Sequence, residues 1–273
     1  MPSAFNAELF QNQLNTTWLG SEFLYKERVD STNTCLKKVP SPELVHGTVL
    51  IADHQTKGRG QYEKKWNSEP GENLTFSIAL RPPAPERLTL LTLSCANAIT
   101  MVLEELVNRE VRIKWPNDIY IEGKKIGGLL TECCFNGKNL DRVLIGIGLN
   151  IGQTYFEGDL LHKATSVAGL TGKQYSREEI LCNLLTAIES FYMKWHKFDD
   201  ELQKEISRKM IGYGEWVSLQ INKILQPEKY KFLGVNRQGE LIVLDEQLDI
   251  NTFSYEQIRI ITHRKGVSET ESE

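Results

Sequence analysis

The 273-residue sequence lacks most of the features that assign a protein to a class directly. No unbroken stretch of about 18 apolar residues is read in it, so no membrane-spanning helix is expected. The N-terminus lacks a basic segment followed by an apolar run, so no signal peptide is read there. There is no excess of basic residues: 32 Lys and Arg stand against 36 Asp and Glu, a net charge of −4. Nucleic-acid binders usually carry a basic footprint, so no DNA partner is expected. The five cysteines form no C-x-x-C pair and are odd in number. That suits reduced thiols in a cytoplasmic protein better than a disulfide framework. The five histidines show no H-x-x-x-H spacing, so no metal site is expected. The Walker pattern G-x-x-x-x-G-K-[ST] is also missing.

What is present is an ordinary globular balance, 40% hydrophobic and 25% charged, with three unusual segments. The first is Gln55-Thr56-Lys57-Gly58-Arg59-Gly60-Gln61-Tyr62-Glu63-Lys64-Lys65-Trp66, following the apolar strand Val49–Ala52. Gly58 and Gly60 let a ligand approach the backbone, and Lys57, Arg59, Lys64 and Lys65 suit an anionic one. The second is Lys114-Trp115-Pro116-Asn117-Asp118, continuing through a turn at Glu122-Gly123 to Lys125 and Gly127-Gly128. Strands over Arg112–Trp115 and Asp118–Ile121 bring Lys114, Asn117, Asp118 and Lys125 near one another. The third is Ile145-Gly146-Ile147-Gly148-Leu149-Asn150. Its spacing is not G-x-G-x-x-G and no good helix start follows, so it reads as a glycine-rich strand under a ligand.

Around these segments the chain reads as an α+β protein with a mixed sheet, because strands and helices interleave without a βαβ rhythm. Expected elements are a strand at Glu22–Val29 and a short helix at Ser31–Lys38 capped by Asp30 or Ser31. A buried helix follows at Leu88–Val107. Ser176 and Glu179 form a capping box opening a helix to about His196, and another helix covers Asp199–Lys209. After Gly212–Gly214 short strands are expected at Trp216–Ile221, Lys229–Val235, Glu240–Leu244 and Gln257–Ile261, with a hairpin turn at Asn236–Gly239. The expected division is an extension over 1–20 without an assigned role, a catalytic unit over 21–212, a small β unit over 213–265 and a disordered tail over 266–273.

Together with Asp30-Ser31-Thr32-Asn33-Thr34 and Lys163-Ala164-Thr165-Ser166-Val167, the three segments resemble the biotin protein ligases, from about Glu22 to Asp245. The resemblance implies a biotin/lipoate ligase-like catalytic fold followed by a small SH3-like β-barrel. It implies biotin and ATP as substrates, Mg²⁺ with the ATP, biotinyl-5′-adenylate as intermediate, and transfer to a lysine of a biotin carboxyl carrier domain. Lys125 would bridge the biotin carboxylate and the α-phosphate, with Arg59, Lys64 and Lys114 as further cations and the Gly58–Gln61 loop closing over both. Ser31, Thr32, Asn33 and Gln55 offer neutral hydrogen-bonding groups to a ureido ring. Trp66 either stacks on the intermediate or is a core aromatic. Asn117 binds phosphate or orders the nucleotide, and Asn150 contacts its adenosine end. Asp118 orients Lys125, accepts a proton from the incoming lysine, or caps its hairpin. Gln61 stands where many relatives carry a second basic residue. Gln55–Trp66 and Gln153–Lys163 are expected to be loose without ligand, with Phe156 or Leu160 covering the nucleotide. The first catalytic strand near Glu22 leaves no room for the N-terminal winged helix of ligases that are also repressors. A homodimer through a sheet edge stays open, and the competing readings are a lipoate or octanoate ligase and a non-catalytic biotin-binding module.

Overall fold

The structure is a computed structural model that describes residues 4–61, 64–254 and 258–261. A seven-stranded sheet dominates it, in the order β1 (Phe23–Val29), β2 (Val49–Gln55), β3 (Leu74–Leu80), β7 (Asn139–Leu149), β6 (Lys124–Asn136), β5 (Asp118–Ile121) and β4 (Val111–Lys114). The β1–β2 pair is parallel and the other neighbours are antiparallel, which makes the sheet mixed as expected. β3 was not anticipated. Its run Leu-Thr-Phe-Ser-Ile-Ala-Leu is buried throughout and belongs in the middle of the sheet.

Side chains alternate between the two faces of a sheet, so the ladder registers sort the residues. One face carries Ile51, Phe76, Ile78, Ile145, Ile147, Leu129 and Ile119, all in the main core. Against it lies α3 (Leu88–Val107), on which α5 (Arg177–His196) packs. The helix with its preceding turn, Pro85–Val107, is long and apolar enough to cross a membrane, although the sequence reading found no such run. Its most apolar window is 78% buried within the protein, so it is a core helix.

The opposite face is lined by Thr75 and Ser77 of β3, Gly146 and Gly148 of β7, Gly128, Leu130 and Glu132 of β6, and Asp118 of β5. A short helix, α2 (Thr32–Lys38), covers one end of this face and buries Leu36 against Leu50, Ala79 and Leu144. The rest is open.

The N-terminal residues, without a role in the sequence reading, are a structural brace. Asn6 caps α1 (Ala7–Gln13), accepting the Leu9 N–H, while Phe5 and Phe10 are buried beside Phe23. The Glu189 carboxylate of α5 accepts three consecutive backbone N–H groups, from Thr17, Trp18 and Leu19, at 2.8–3.0 Å. Buried Arg177 pairs with Asp53 at 2.7 Å, and Asp53 also accepts the Tyr25 hydroxyl at 2.6 Å. Burial, reinforced by the Asp53 carboxylate, pushes the Tyr25 phenol up to about 12.

After α4 (Val167–Thr171), α5 and α6 (Leu202–Lys209), five strands form an antiparallel sheet in the order β11 (Ile250–Phe253), β10 (Leu241–Leu244), β9 (Ile224–Val235), β8 (Trp216–Ile221) and β12 (Ile258–Ile261). β9 begins earlier than expected because Asn222 and Lys223, both at positive φ, form a tight turn directly after β8. β11 was not foreseen. Gln257 and the expected disordered tail lie outside the described residues. The 236–239 turn docks this sheet onto the main body: Trp115 Nε1 donates to the Gly239 carbonyl at 3.2 Å and Arg87 Nε to that of Arg237 at 3.3 Å. Gly239 has φ +85°, and a Cβ there would collide with the backbone of Leu90.

Burial alone would raise the Glu189 carboxyl, but the Leu19, Thr17 and Trp18 N–H donors outweigh it and hold it below its ordinary value of 4.5. Glu189→Ala is expected to cost about 1–2 kcal/mol, read as a thermal midpoint several degrees lower near neutral pH. A lowered carboxyl stabilises fully above the unfolded value and loses that contribution as pH falls through the folded one. The gap between the two proteins should therefore close below about pH 4. A gap that persists undiminished in acid would refute the clamp.

Candidate active site

The open face of the sheet is where most of the chemically distinctive side chains gather. At its centre Lys125 Nζ lies 2.6 Å from Asp118 Oδ1, both side chains about one-third exposed or less. This pairing depends on an irregularity. Ile119 pairs with Gly127, but the next residue, Tyr120, pairs with Lys125, so Ile126 is an extra residue on β6. A bulge of one residue reverses the facing of what precedes it. Lys125 thereby joins Asp118 on the open face, while Ile126 is fully buried in the core. Gly128 makes space for the pair, since a Cβ there would lie 2.9 Å from Asp118 Oδ1 and 3.2 Å from Lys125 Nζ. Lys114 is opposite Asp118 in the ladder, and its ammonium sits 5.5 Å from the Tyr120 ring centroid.

Two asparagines, one from this motif and one from the end of the glycine strand, tie main chain together. Asn117 Nδ2 donates to the Leu129 carbonyl at 2.6 Å, and the Leu129 N–H donates to the Asn117 carbonyl. Asn150 Nδ2 donates to the Thr165 carbonyl at 3.0 Å. The Thr165 N–H donates to the Lys125 carbonyl, so Asn150 helps hold the Lys125 backbone.

Next to the pair is a neutral polar cluster. Gln55 Oε1 accepts the Thr32 N–H at 2.8 Å and lies 3.1 Å from Thr32 Oγ1. Ser31 occupies the N-cap of α2, yet its side chain makes no capping bond; Gln55 supplies the acceptor instead. The Asp30 carboxylate accepts the Ser31 N–H, which, with Lys38, keeps its carboxyl below the usual range against the opposing effect of burial. Asn33 is 2% exposed and bracketed: Oδ1 is 2.6 Å from Ser77 Oγ, and Nδ2 donates to Glu132 at 2.7 Å and to the Leu130 carbonyl at 3.3 Å. Gly146 is required beneath it, since a Cβ there would meet the Asn33 amide at 2.8 Å.

The glycine loop folds back on itself. The Trp66 N–H donates to the Gly58 carbonyl at 3.0 Å and the Gly60 N–H to that of Lys64 at 2.6 Å. A side chain at Gly58 would collide with the Trp66 carbonyl. Arg59 reaches inward, donating to Thr34 Oγ1 at 3.1 Å and pairing with Glu132 at 3.4 Å. The Trp66 indole lies on Gly148, whose Cβ would meet it at 2.5 Å, and its buried Nε1–H has no partner among the described residues. The glycine strand is thus a floor directly under Trp66 and Asn33. Lys57, Lys64 and Lys65 are exposed, Gln61 is half-buried, and Tyr62 and Glu63 lie outside the described residues. The 153–163 segment returns to the Lys125 backbone, whose N–H donates to the Lys163 carbonyl at 2.7 Å. Under it is a cleft of about 200 Å³ lined by Lys124, Phe156, Leu161, Thr165 and Ser166. Phe156 is 9% exposed, whereas Leu160 and Leu161 are half open to solvent.

Sequence reasoning missed Ser77, Glu132 and Thr34. Ser77 is a small polar residue within an apolar alternation, and Glu132 has the same strand parity as Gly128. Both signals become legible only once the register is known. Among the described residues there is no group of three or more His, Cys, Asp or Glu suited to a metal.

Comparison with known proteins agrees with this geometry. The profile of the biotin/lipoate A/B protein ligase family matches residues 25–150. A bifunctional ligase/repressor of Bacillus subtilis is 34% identical over 66% of this chain and 56% of its own length, so the chain spans little more than half of that relative. The biotin–[acetyl-CoA-carboxylase] ligase of Mycobacterium tuberculosis is 28% identical over 70% of this chain and 71% of its own. The biotin protein ligase from Aquifex aeolicus, solved in complex with biotin and ATP, superposes with a TM-score of 0.76 at 31% identity, over 88% of this chain and all of that one. With that coverage and the same mixed-sheet fold, the chain belongs to the biotin protein ligases of the biotin/lipoate A/B protein ligase family.

Proposed function

We propose that this chain is an ATP-dependent biotin protein ligase. It joins biotin to ATP as biotinyl-5′-adenylate, releasing pyrophosphate, and passes the biotinyl group to a lysine of a biotin carboxyl carrier domain. The observation that carries the proposal is the Lys125–Asp118 pair, set by the bulge on the open face next to a neutral polar cluster. The cluster of Thr32, Gln55 and Ser77 has donors and acceptors but no charge, which suits a ureido ring. Similarity to a ligase crystallised with biotin and ATP supports the substrate assignment.

In the first step a carboxylate oxygen attacks the α-phosphorus, and the bond to the bridging oxygen of pyrophosphate breaks. Two anions must approach each other, and a positioned cation offsets their repulsion. Lys125 is that cation, with Asp118 orienting its ammonium. Arg59 and Lys114 add positive charge at the rim, and Mg²⁺ enters with the nucleotide as part of the substrate. Trp66, lying on Gly148, has an N–H without a partner among the described residues and an aromatic face for the intermediate. In the second step the acceptor amine attacks the mixed-anhydride carbonyl and AMP leaves. Residues 21–212 would form the catalytic unit and 213–265 the small β unit, a division supported by the change of architecture after Gly212–Gly214.

Lys125→Ala is expected to lower biotin-dependent ATP–pyrophosphate exchange by on the order of a hundredfold or more, with the circular dichroism spectrum intact. Exchange at the wild-type rate would remove Lys125 from the reaction. Exchange driven by lipoate or octanoate instead of biotin would favour the lipoate-ligase reading. A methyl group at position 148 should lift the indole from its floor. Gly148→Ala is therefore expected to retain biotinyl-adenylate about tenfold less well in equilibrium dialysis, a loss in the range of one aromatic contact. Undiminished retention would show that Trp66 does not hold the intermediate.

A further inference from the structure

We infer that Glu132 is a positioning residue that sets the hydrogen-bond polarity of the head-group pocket, an inference that rests on the biotin reading above. Five side chains from four elements form one chain of contacts: Glu132 of β6, Asn33 and Thr32 of α2, Ser77 of β3 and Gln55 of β2. Only its Glu132 end carries charge.

A carboxylate only accepts hydrogen bonds, so the 2.7 Å contact with Glu132 requires the Asn33 amide nitrogen on that side. The Asn33 oxygen then faces Ser77 at 2.6 Å, and since it has no proton, the Ser77 hydroxyl must donate to it. Ser77 Oγ is also 2.6 Å from Thr32 Oγ1. With the Ser77 proton committed to Asn33, that short contact is attractive only if Thr32 supplies its own proton to Ser77 rather than to Gln55 Oε1, the more distant acceptor at 3.1 Å. From Thr32 through Ser77 to Asn33 the side-chain protons therefore point towards Glu132, while the Thr32 backbone N–H alone is given to Gln55. Thr32 is left with oxygen lone pairs, which can accept an N–H such as those of a ureido ring.

Without the carboxylate, the Asn33 amide is held in this sense only by the Leu130 carbonyl at 3.3 Å. An inverted amide would donate to Ser77, turn the Ser77 proton to Thr32 and send the Thr32 proton towards Gln55 Oε1, so that lone pairs facing the pocket are replaced by a donor and Gln55 loses accepting capacity. Such a mismatch leaves a buried group unsatisfied, which costs more than loss of one hydrogen bond. Glu132 is one-quarter exposed and also pairs with Arg59, so the same carboxylate links pocket and glycine loop.

The test exchanges donor and acceptor. Asn33→Asp places two carboxylates against each other and should weaken biotin binding, measured by calorimetry, by about a hundredfold. Adding Glu132→Gln lets the new amide donate to the new carboxylate, which still accepts from Ser77. This double variant should bind biotin within about tenfold of wild type. Glu132→Gln alone should raise the KM for biotin about five- to tenfold, with the KM for ATP changed less than about threefold. Circular dichroism checks that each variant is folded. A double variant that binds biotin no better than Asn33→Asp would overturn the inference, as would equal effects of Glu132→Gln on both KM values. Failure of the unmodified chain to bind biotin would overturn the ligase reading, and this role with it.

Discussion

The site depends on one extra residue. Ile126 forms a bulge between Gly127, which pairs with Ile119, and Lys125, which pairs with Tyr120. Without it Lys125 would follow strict alternation onto the core face, a very costly location for an ammonium group. With it Lys125 is beside Asp118, and Ile126 takes the buried position. The bulge is reinforced on both sides. The Lys125 N–H and carbonyl bond to Lys163 and Thr165, the Asn150 N–H donates to the Ile126 carbonyl, and Asn150 Nδ2 ties down Thr165. The asparagines at 117 and 150 thus help hold the frame within which the cation is presented.

Around that point the open face is shaped by missing side chains. Gly128, Gly146 and Gly148 share one face of adjacent strands, and each accommodates a different neighbour: the Lys125–Asp118 pair, the Asn33 amide and the Trp66 indole. Trp66 of the first segment therefore meets the glycine strand through a contact that a single methyl group would disturb, and the second segment joins that strand by the pairing of Gly128 with Gly148. Charge is distributed unevenly over this surface. Lys125 and Lys114 lie towards the β4–β6 side and the neutral Thr32, Gln55 and Ser77 towards the β2–β3 side, where Arg59 is paired with Glu132. A substrate with a neutral ring at one end and a carboxylate at the other matches that division.

The scaffold holds the face in place from outside. The N-terminal brace is fixed to α5 by Glu189 and to β2 through Asp53, whose buried pairing with Arg177 is flanked by Tyr25. The C-terminal sheet reaches the same motif that provides Asp118, since Trp115 donates to Gly239. Both supports hold strands that carry the reacting groups, the first through β2 and the second through the residue next to Lys114.

Local pattern was enough for much of this molecule. Leu88–Val107 is apolar all round and forms the helix expected of it; Glu122-Gly123 turns where two positive φ angles are needed; the break at Gly212–Gly214 separates two kinds of structure. Such features are encoded within a few residues, by hydrophobic period, capping and turn chemistry. What remained hidden depends on partners distant in sequence. β3 was overlooked because a short apolar run gains meaning only from its neighbours β2 and β7. The first twenty residues seemed featureless because their donors are satisfied by Glu189 and Glu178, about 170 positions away. Ser77 and Glu132 gained significance only when strand register put them beside Asn33. The residue types, and the family resemblance they carry, were determined by sequence alone. Which face each residue occupies, and hence which side chains meet, was decided by the register and the bulge, because a one-residue shift in a β-strand exchanges its two faces.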